Sequence, residues 1–316
     1  MKIVIAGRAD AQDLQALGGA YPEVELVSAP AHGAPLLAAL EEAEALYVHT
    51  VTDEMYRAAP RLRWVQSQGA GVEWLAEAPA FRASDVVLTN TRGAHARTIA
   101  EHAFGLLLSL TRCLPELRAA QAEHAWRKPS RPVGLSGLTF GVVGLGNIGT
   151  AIARRAHGFE MRVIAVDANE VPRPAFVERC DRLEGLPALL READVVAVAT
   201  PLTAETQGLL GAPELALMRP GAFLLVVSRG GIVDEGALVA ALRAGRLAGA
   251  GLDVSETEPL PAESPLWEAP NLLLTPHCSG ASHQTREAAW GILSQNVGRF
   301  VRGEPLENLV DKRRGY

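Results

Sequence analysis

Short apolar runs recur along the chain, separated by stretches whose apolar residues return at helical spacing. In the first third the runs are Lys2–Gly7, Val24–Ala29, Ala45–Thr50, Arg63–Gln68 and Val86–Asn90. Between the second and third, Pro35–Ala43 carries the period of a helix. Strands alternating with helices predict a mostly parallel sheet covered on both faces. One long helix is expected from about Thr98 to Trp126, kinked at Pro115. A second alternating series starts at Leu138. Its strands are expected at Leu138–Gly144, Met161–Asp167, Asp194–Thr200, Ala222–Ser228, Ala248–Val254 and Asn271–Thr275. Helices fill most of the gaps, including Asn147–Phe159 and Asp234–Leu247. Such a set of strands with crossover helices is what a doubly wound dinucleotide-binding domain requires. From Ser282 to about Arg302 the pattern is one more helix, with Ala288, Ile292 and Val297 on its apolar face. The fold class expected is therefore α/β, with two doubly wound parallel-sheet domains.

Composition agrees with two domains and removes several function classes. A length of 316 residues fits about two domains. Hydrophobic residues at 48% and charged residues at 21% suit a chain that buries sizeable cores. A net charge of -6 leaves no basic footprint for nucleic acid or anionic lipid. The first residues read as a strand rather than a signal peptide. No apolar run approaches the ~18 residues a membrane span needs. Cytoplasm is the compartment expected. Cys113, Cys180 and Cys278 are too few and too scattered for a disulfide framework or a zinc site. No histidine pair has metal-ligand spacing with a third partner, so no metal is expected.

The densest chemistry lies mid-chain. Gly144-Leu145-Gly146-Asn147-Ile148-Gly149 follows a predicted strand and opens a predicted helix. Alone, GxGxxG is a weak signal in a glycine-rich chain; its context makes it strong. Gly144 permits the tight turn, Gly146 lets backbone approach a pyrophosphate, and Gly149 lets helix and strand pack closely. The helix start offers unpaired N–H groups and a positive dipole to phosphates, with Asn147 and Ile148 in its first turn. The next strand ends in Asp167, 18 residues after Gly149. A carboxylate there accepts hydrogen bonds from ribose hydroxyls; a solvated strand-end acid is the plainer alternative. The cofactor expected is NAD. Asp167 is followed by Ala168 and Asn169 and would repel a 2′-phosphate, with Arg173 the one nearby cation.

With these residues in view the chain resembles the D-2-hydroxyacid dehydrogenase family over nearly its whole length. The matching stretches are Gln66–Val72, Ile99–His102, Gly144–Gly149, Pro201–Thr206, Ser228–Glu235, Ala250–Val254, Glu258–Leu260 and Thr275–His277. The resemblance implies a flavodoxin-like substrate domain from residues 1–97 plus 283–316 and a Rossmann NAD-binding domain from residues 98–282. It implies an oxidoreductase moving hydride between NAD(H) and a small 2-keto or D-2-hydroxy acid, with Arg229, Glu258 and His277 as the reacting set. A guanidinium at a carboxyl strand end can grip a carboxylate and polarise a keto oxygen; a surface arginine is the plainer reading. His277 suits delivery of a proton to that oxygen, and Glu258 would orient its ring. His95, His102, His124 and His283 are read as structural or solvated. The resemblance also assigns Thr200, Pro201, Val227, Ser228, Asp253 and Gly280 to the cofactor, beside Arg229 and His277. Gly69, Ala70, Gly71 and Val72 would cradle a substrate carboxylate with backbone amides, against the alternative of a plain turn.

Val226, Ser255 and Glu73 depart from the family's usual asparagine, aromatic and aspartate. None is in the reacting set, but they leave the subfamily open. The resemblance also implies a homodimer through the helix after Thr98, where Leu106–Leu110, Leu114 and Leu117 look like more apolar surface than one sheet needs. Trp126 would then reach the partner. Trp74 and Trp290, if turned inward, would narrow a substrate pocket; if core aromatics, they would not. Two rival readings stand: an NAD-responsive corepressor or sensor on the same scaffold, and phosphite or formate oxidation.

Overall fold

The computed structural model describes residues 1–7 and 9–315; Arg8 and Tyr316 lie outside the described residues. The chain forms two compact units. One is Met1–His95 with Ser282–Tyr316, the other Ala96–Ala281.

The first unit is built on β1 (Lys2–Ala6), β2 (Glu25–Ala29), β3 (Ala45–Val48), β4 (Trp64–Ser67) and β5 (Val87–Thr89), in the spatial order β2-β1-β3-β4-β5. All neighbours pair in parallel. Successive side chains of a strand leave on opposite faces, so one run feeds two cores. Ile3, Ile5, Tyr47 and Trp64 pack on one face with Leu293 and Val297 of the helix His283–Arg302. Val4, Leu46 and Val65 pack on the other with Leu36, Leu40 and Phe81.

The second unit holds β6 (Thr139–Val143), β7 (Arg162–Asp167), β8 (Arg179–Arg182), β9 (Val195–Val198), β10 (Ala222–Val226), β11 (Leu247–Leu252) and β12 (Leu272–Leu274). Their order is β12-β11-β10-β9-β6-β7-β8, again parallel throughout. Val142, Val195 and Phe223 face the helices Ala96–Thr111 and Asn147–Gly158, while Val143, Val196 and Leu224 face the helices on the opposite side. Burial on both faces is why these strands read as continuous apolar runs.

Two sequence expectations need correction. The sheet has seven strands rather than six: β8, Arg-Cys-Asp-Arg, is a polar edge strand with no apolar signature. The long helix is two helices, Ala96–Thr111 and Leu114–Ala122. Cys113 between them adopts the left-handed conformation (φ 54°), and Pro115 stands at the start of the second helix, where its missing N–H costs nothing. The leucines thought surplus are largely used inside the unit. A Cβ on Gly251 would lie 2.9 Å from Leu106 Cβ, and one on Gly249 would lie 3.1 Å from Leu110 Cδ2. Small residues on β11 thus let this helix close on the sheet. Leu114 and Trp126 remain exposed. No helix among the described residues is long and apolar enough to cross a membrane.

Candidate active site

A parallel sheet brings distant segments together by aligning the carboxyl ends of its strands. Here Asp167 ends β7, Gly144–Gly149 follow β6, Thr200 and Pro201 follow β9, and Val227–Arg229 follow β10. Asp253 follows β11, and His277 and Gly280 follow β12. These strands are spatially consecutive, so every cofactor and catalytic residue predicted in this unit lies along one edge of the sheet. The chain winds from β6 to β7 on one side and returns to β9 on the other. Doubly wound sheets bind ligands at such a reversal.

The fingerprint is built as nucleotide binding demands. Gly144 takes φ +92°, and a Cβ there would meet the Thr200 amide nitrogen at 2.9 Å. A Cβ on Gly149 would sit 1.9 Å from the Gly144 carbonyl oxygen, so helix and turn touch as closely as only glycine allows. Gly146, at the N-cap of helix Asn147–Gly158, has no heavy atom within 4 Å of a notional Cβ and no side-chain cap. Asp167 is buried, with Oδ2 accepting from the Leu145 amide at 2.7 Å and Oδ1 from the Asn169 amide at 2.8 Å. Ser228 Oγ is buried with no hydrogen-bond partner, and a buried orphan hydroxyl at a strand end invites a ligand. These residues fit NAD. Arg173 donates to the backbone carbonyls of Val177 and Glu178, which occupies its guanidinium.

His277 Nδ1 and Glu258 Oε2 are 2.7 Å apart. The other carboxylate oxygen, Oε1, accepts from the Ser255 amide at 3.1 Å, which fixes the plane of the acid. Both side chains are part-exposed, so the ring nitrogen opposite Glu258 is left for proton exchange. Arg229 donates to its own neighbour, the Ser228 carbonyl, at 2.7 Å. Gly230 packs so closely that a Cβ would lie 1.9 Å from the Ser255 oxygen, which seats the Arg229 turn directly against the loop that leads to Glu258. The arrangement offers a cation after β10 and a carboxylate-oriented imidazole after β12, with β11 between them in the sheet.

Asp253 is fully buried, and its carboxylate accepts from Thr275 Oγ1 at 2.6 Å and from the amides of Cys278 and Ser279 at 3.0 and 2.9 Å. Burial pushes its pKa up, but hydrogen bonds from Ser279, Thr275 and the two amides outweigh this and hold it below the usual range. Sequence reasoning missed Thr275, Ser279 and His102 in this cluster. Ile99–His102 lies in a stretch that matches the family, which was the only signal for His102.

In the first unit, the Gly69–Val72 segment connects β4 to the short helix Glu73–Ala76. The Gly69 and Ala70 carbonyls accept from the Thr91 amide and Asn90 Nδ2 at 3.1 and 2.7 Å. The Gly69 amide donates to Ser67 Oγ, so the amides of Ala70, Gly71 and Val72 are the ones left to a ligand among the described residues. Trp74 packs on Phe81 at 5.8 Å and Trp290 meets Tyr47 edge-on at 5.7 Å. Both are half-buried and pack against the two cores of this unit.

A dinucleotide turn of this form, followed along one sheet edge by the arginine, glutamate and histidine set, defines an NAD-linked dehydrogenase of the doubly wound class. Residues 104–279 match the family described as "D-isomer specific 2-hydroxyacid dehydrogenase, NAD binding domain". Glyoxylate reductase of Thermococcus litoralis is 37% identical over 307 residues, covering 92% of this chain and 91% of that protein. D-3-phosphoglycerate dehydrogenase of Mycobacterium bovis is 36% identical over 98% of this chain, which spans only 58% of the longer relative. The crystal structure of a D-isomer specific 2-hydroxyacid dehydrogenase from Xanthobacter autotrophicus Py2 in complex with NADPH and MES is 34% identical. It aligns with a TM-score of 0.83 over 100% of this chain and 99% of that one. The chain belongs to the D-isomer specific 2-hydroxyacid dehydrogenase family and is an NAD-binding oxidoreductase. That membership favours neither the sensor nor the phosphite or formate reading.

Proposed function

We propose that the protein reduces a small, unphosphorylated 2-keto acid, of the glyoxylate or hydroxypyruvate kind, to its D-2-hydroxy acid with NADH. The observation that carries this reading is the 2.7 Å pair of His277 Nδ1 and Glu258 Oε2 beside the Arg229 turn. Arg229 binds the substrate carboxylate and polarises the keto oxygen through its fork of donors. Glu258 accepts the Nδ1 hydrogen of His277, so the proton available for the keto oxygen is the one on Nε2. NADH, when bound, supplies the hydride that reaches the carbonyl carbon. Asp167 holds ribose hydroxyls, the amides at the start of helix Asn147–Gly158 hold phosphate oxygens, and Asp253 and Ser228 serve the nicotinamide end. In the first unit, the amides of Ala70, Gly71 and Val72 recognise carboxylate oxygen. Asp167 and the occupied Arg173 favour NADH over NADPH.

The glyoxylate reductase relative supports a small substrate, and the phosphoglycerate dehydrogenase relative names the competitor. The test is kcat/KM with NADH and with NADPH across glyoxylate, hydroxypyruvate, 2-ketoisocaproate, phenylpyruvate and 3-phosphohydroxypyruvate. The first two lead, with NADH. Preference for the phosphorylated or bulky acids overturns the substrate reading, and parity of the two cofactors overturns the NADH preference.

The same reading includes a homodimer, in which a second copy covers the exposed Leu114 and Trp126. Light scattering at micromolar concentration should give twice the chain mass; a monomer refutes the pairing.

A further inference from the structure

We propose that His102, acting through Thr275, anchors the turn that presents His277, and is thereby a positioning residue for the reaction. The proposal rests on the reading of His277 as proton donor. It starts from a backbone feature. His277 adopts φ 49°, in the left-handed region that a side chain with a Cβ disfavours. Such a conformation persists only where the surroundings hold it.

The hold comes from three layers. The His277 amide donates to the Asp253 carbonyl at 2.7 Å and to the Thr275 carbonyl at 3.0 Å. The Asp253 carboxylate gathers the same turn from beneath, through Thr275 Oγ1 and the amides of Cys278 and Ser279. The last layer is His102, on the helix Ala96–Thr111, whose Nε2 lies 2.8 Å from Thr275 Oγ1 and 3.6 Å from Asp253 Oδ1.

Hydrogen counting gives this chain a direction. Thr275 has one hydroxyl hydrogen, and the ionised Asp253 at 2.6 Å takes it. Thr275 Oγ1 must therefore accept from His102, so His102 carries its hydrogen on Nε2. The order is imidazole N–H to hydroxyl to carboxylate, with the turn amides closing on the same carboxylate. A helix packed in the core is thus bonded to the turn on either side of His277. An aligned chain of this kind polarises itself and stiffens what it joins.

His102, Asp253 and Cys278 offer atoms within 4.8 Å of one another, a span a metal ion would accept. The bonding favours the hydrogen-bonded network instead. The Asp253 carboxylate already accepts three hydrogen bonds, Nε2 carries a hydrogen, and burial and the Asp253 charge push the pKa of the Cys278 thiol up.

The test is a double-mutant cycle between the turn and His277. Thr275→Val keeps the shape and removes the hydroxyl; it should lower kcat by about tenfold or more, because small displacements of a catalytic group are costly. Thr275→Ser should restore most of that loss. In a His277→Ala background, Thr275→Val should cost nothing further. Wild-type kcat in Thr275→Val, or an undiminished further loss on top of His277→Ala, overturns the positioning role. Full activity of His277→Ala alone overturns the underlying reading instead, and is seen without the cycle. If Thr275→Val does not fold, His102→Leu against His102→Gln carries the test. Glutamine can donate from a similar place and should retain activity that leucine loses; equal rates for the two overturn the proposal.

Discussion

The first strand of each unit is parallel, largely buried, and turns through a glycine into a helix, and the two turns finish differently. β1 turns at Gly7 (φ +93°) into the helix Ala11–Ala20, whose N-cap Asp10 accepts from the Gln12 amide at 2.9 Å. β6 turns at Gly144 (φ +92°) into the helix Asn147–Gly158, whose N-cap is the uncapped Gly146. A carboxylate at a helix start satisfies an orphan amide and opposes the positive end of the dipole. The first helix is therefore closed by its own chain, and it would repel a phosphate. The second start keeps its amides and its positive end for a ligand. Two turns with the same glycine conformation are thus separated in function by what stands at the N-cap. The middle glycine of the motif withholds the kind of side chain with which the helix Ala11–Ala20 caps itself.

The substitution that breaks this comparison most sharply is Gly146→Asp, which gives the second helix the cap of the first. The backbone at 146 (φ -72°, ψ -160°) accepts any residue, and the space beyond it is open. Aspartate is a somewhat better N-cap than glycine, so the thermal midpoint should hold or rise by the equivalent of about 0.3 kcal/mol. NADH affinity should fall by about a hundredfold or more, since like charges brought together cost several kcal/mol and 1.4 kcal/mol is tenfold. Calorimetric titration with NADH, beside a melt, separates the two effects. Unchanged affinity in a folded variant would mean that the pyrophosphate does not lie at this helix.

How much of this was legible in the sequence depended on where each signal was stored. The strands of the second sheet were visible because both faces are buried, so Val195–Val198 and Ala222–Val226 are apolar at every position. β8 was invisible because it pairs only with β7 at the sheet edge, where Arg179 can bond Asp181 and Glu192 instead of burying apolar surface. The helix Ala11–Ala20 was missed as well. It contains Gly18 and Gly19, which weaken its propensity, and only Leu17 is buried. The break at Cys113 was displaced onto Pro115, because proline was read as a kink within one helix rather than as the start of another.

The site was legible unevenly for a related reason. Gly144, Gly146 and Gly149 carry their meaning locally, within one turn. His277 and Glu258 stand 19 positions apart, so only the family resemblance paired them before the structure did. The network below His277 had no local signature. It joins a helix residue, His102, to Asp253 and Thr275 across 173 positions, and its logic depends on which atom donates to which.

A smaller effect sharpens the comparison from the other side. Asp10→Ala uncaps the first helix without adding anything to it. The lost bond to the Gln12 amide should cost about 1 kcal/mol, the usual worth of an N-cap. Little else should change. The Arg286 side chain lies 3.8 Å from Asp10 but keeps its closer partner Asp13 at 2.7 Å, and exposed ion pairs of this kind contribute little. Asp10→Asn retains a capping oxygen and should recover most of the loss, which separates capping from charge. The affinity for NADH should stay at the wild-type value in both variants, because this helix start has no part in holding the cofactor. Denaturant melts give the first quantity and NADH titration the second. If uncapping the first helix moved NADH affinity as Gly146→Asp does, the two turns would share one ligand, and the contrast drawn from their N-caps would fail.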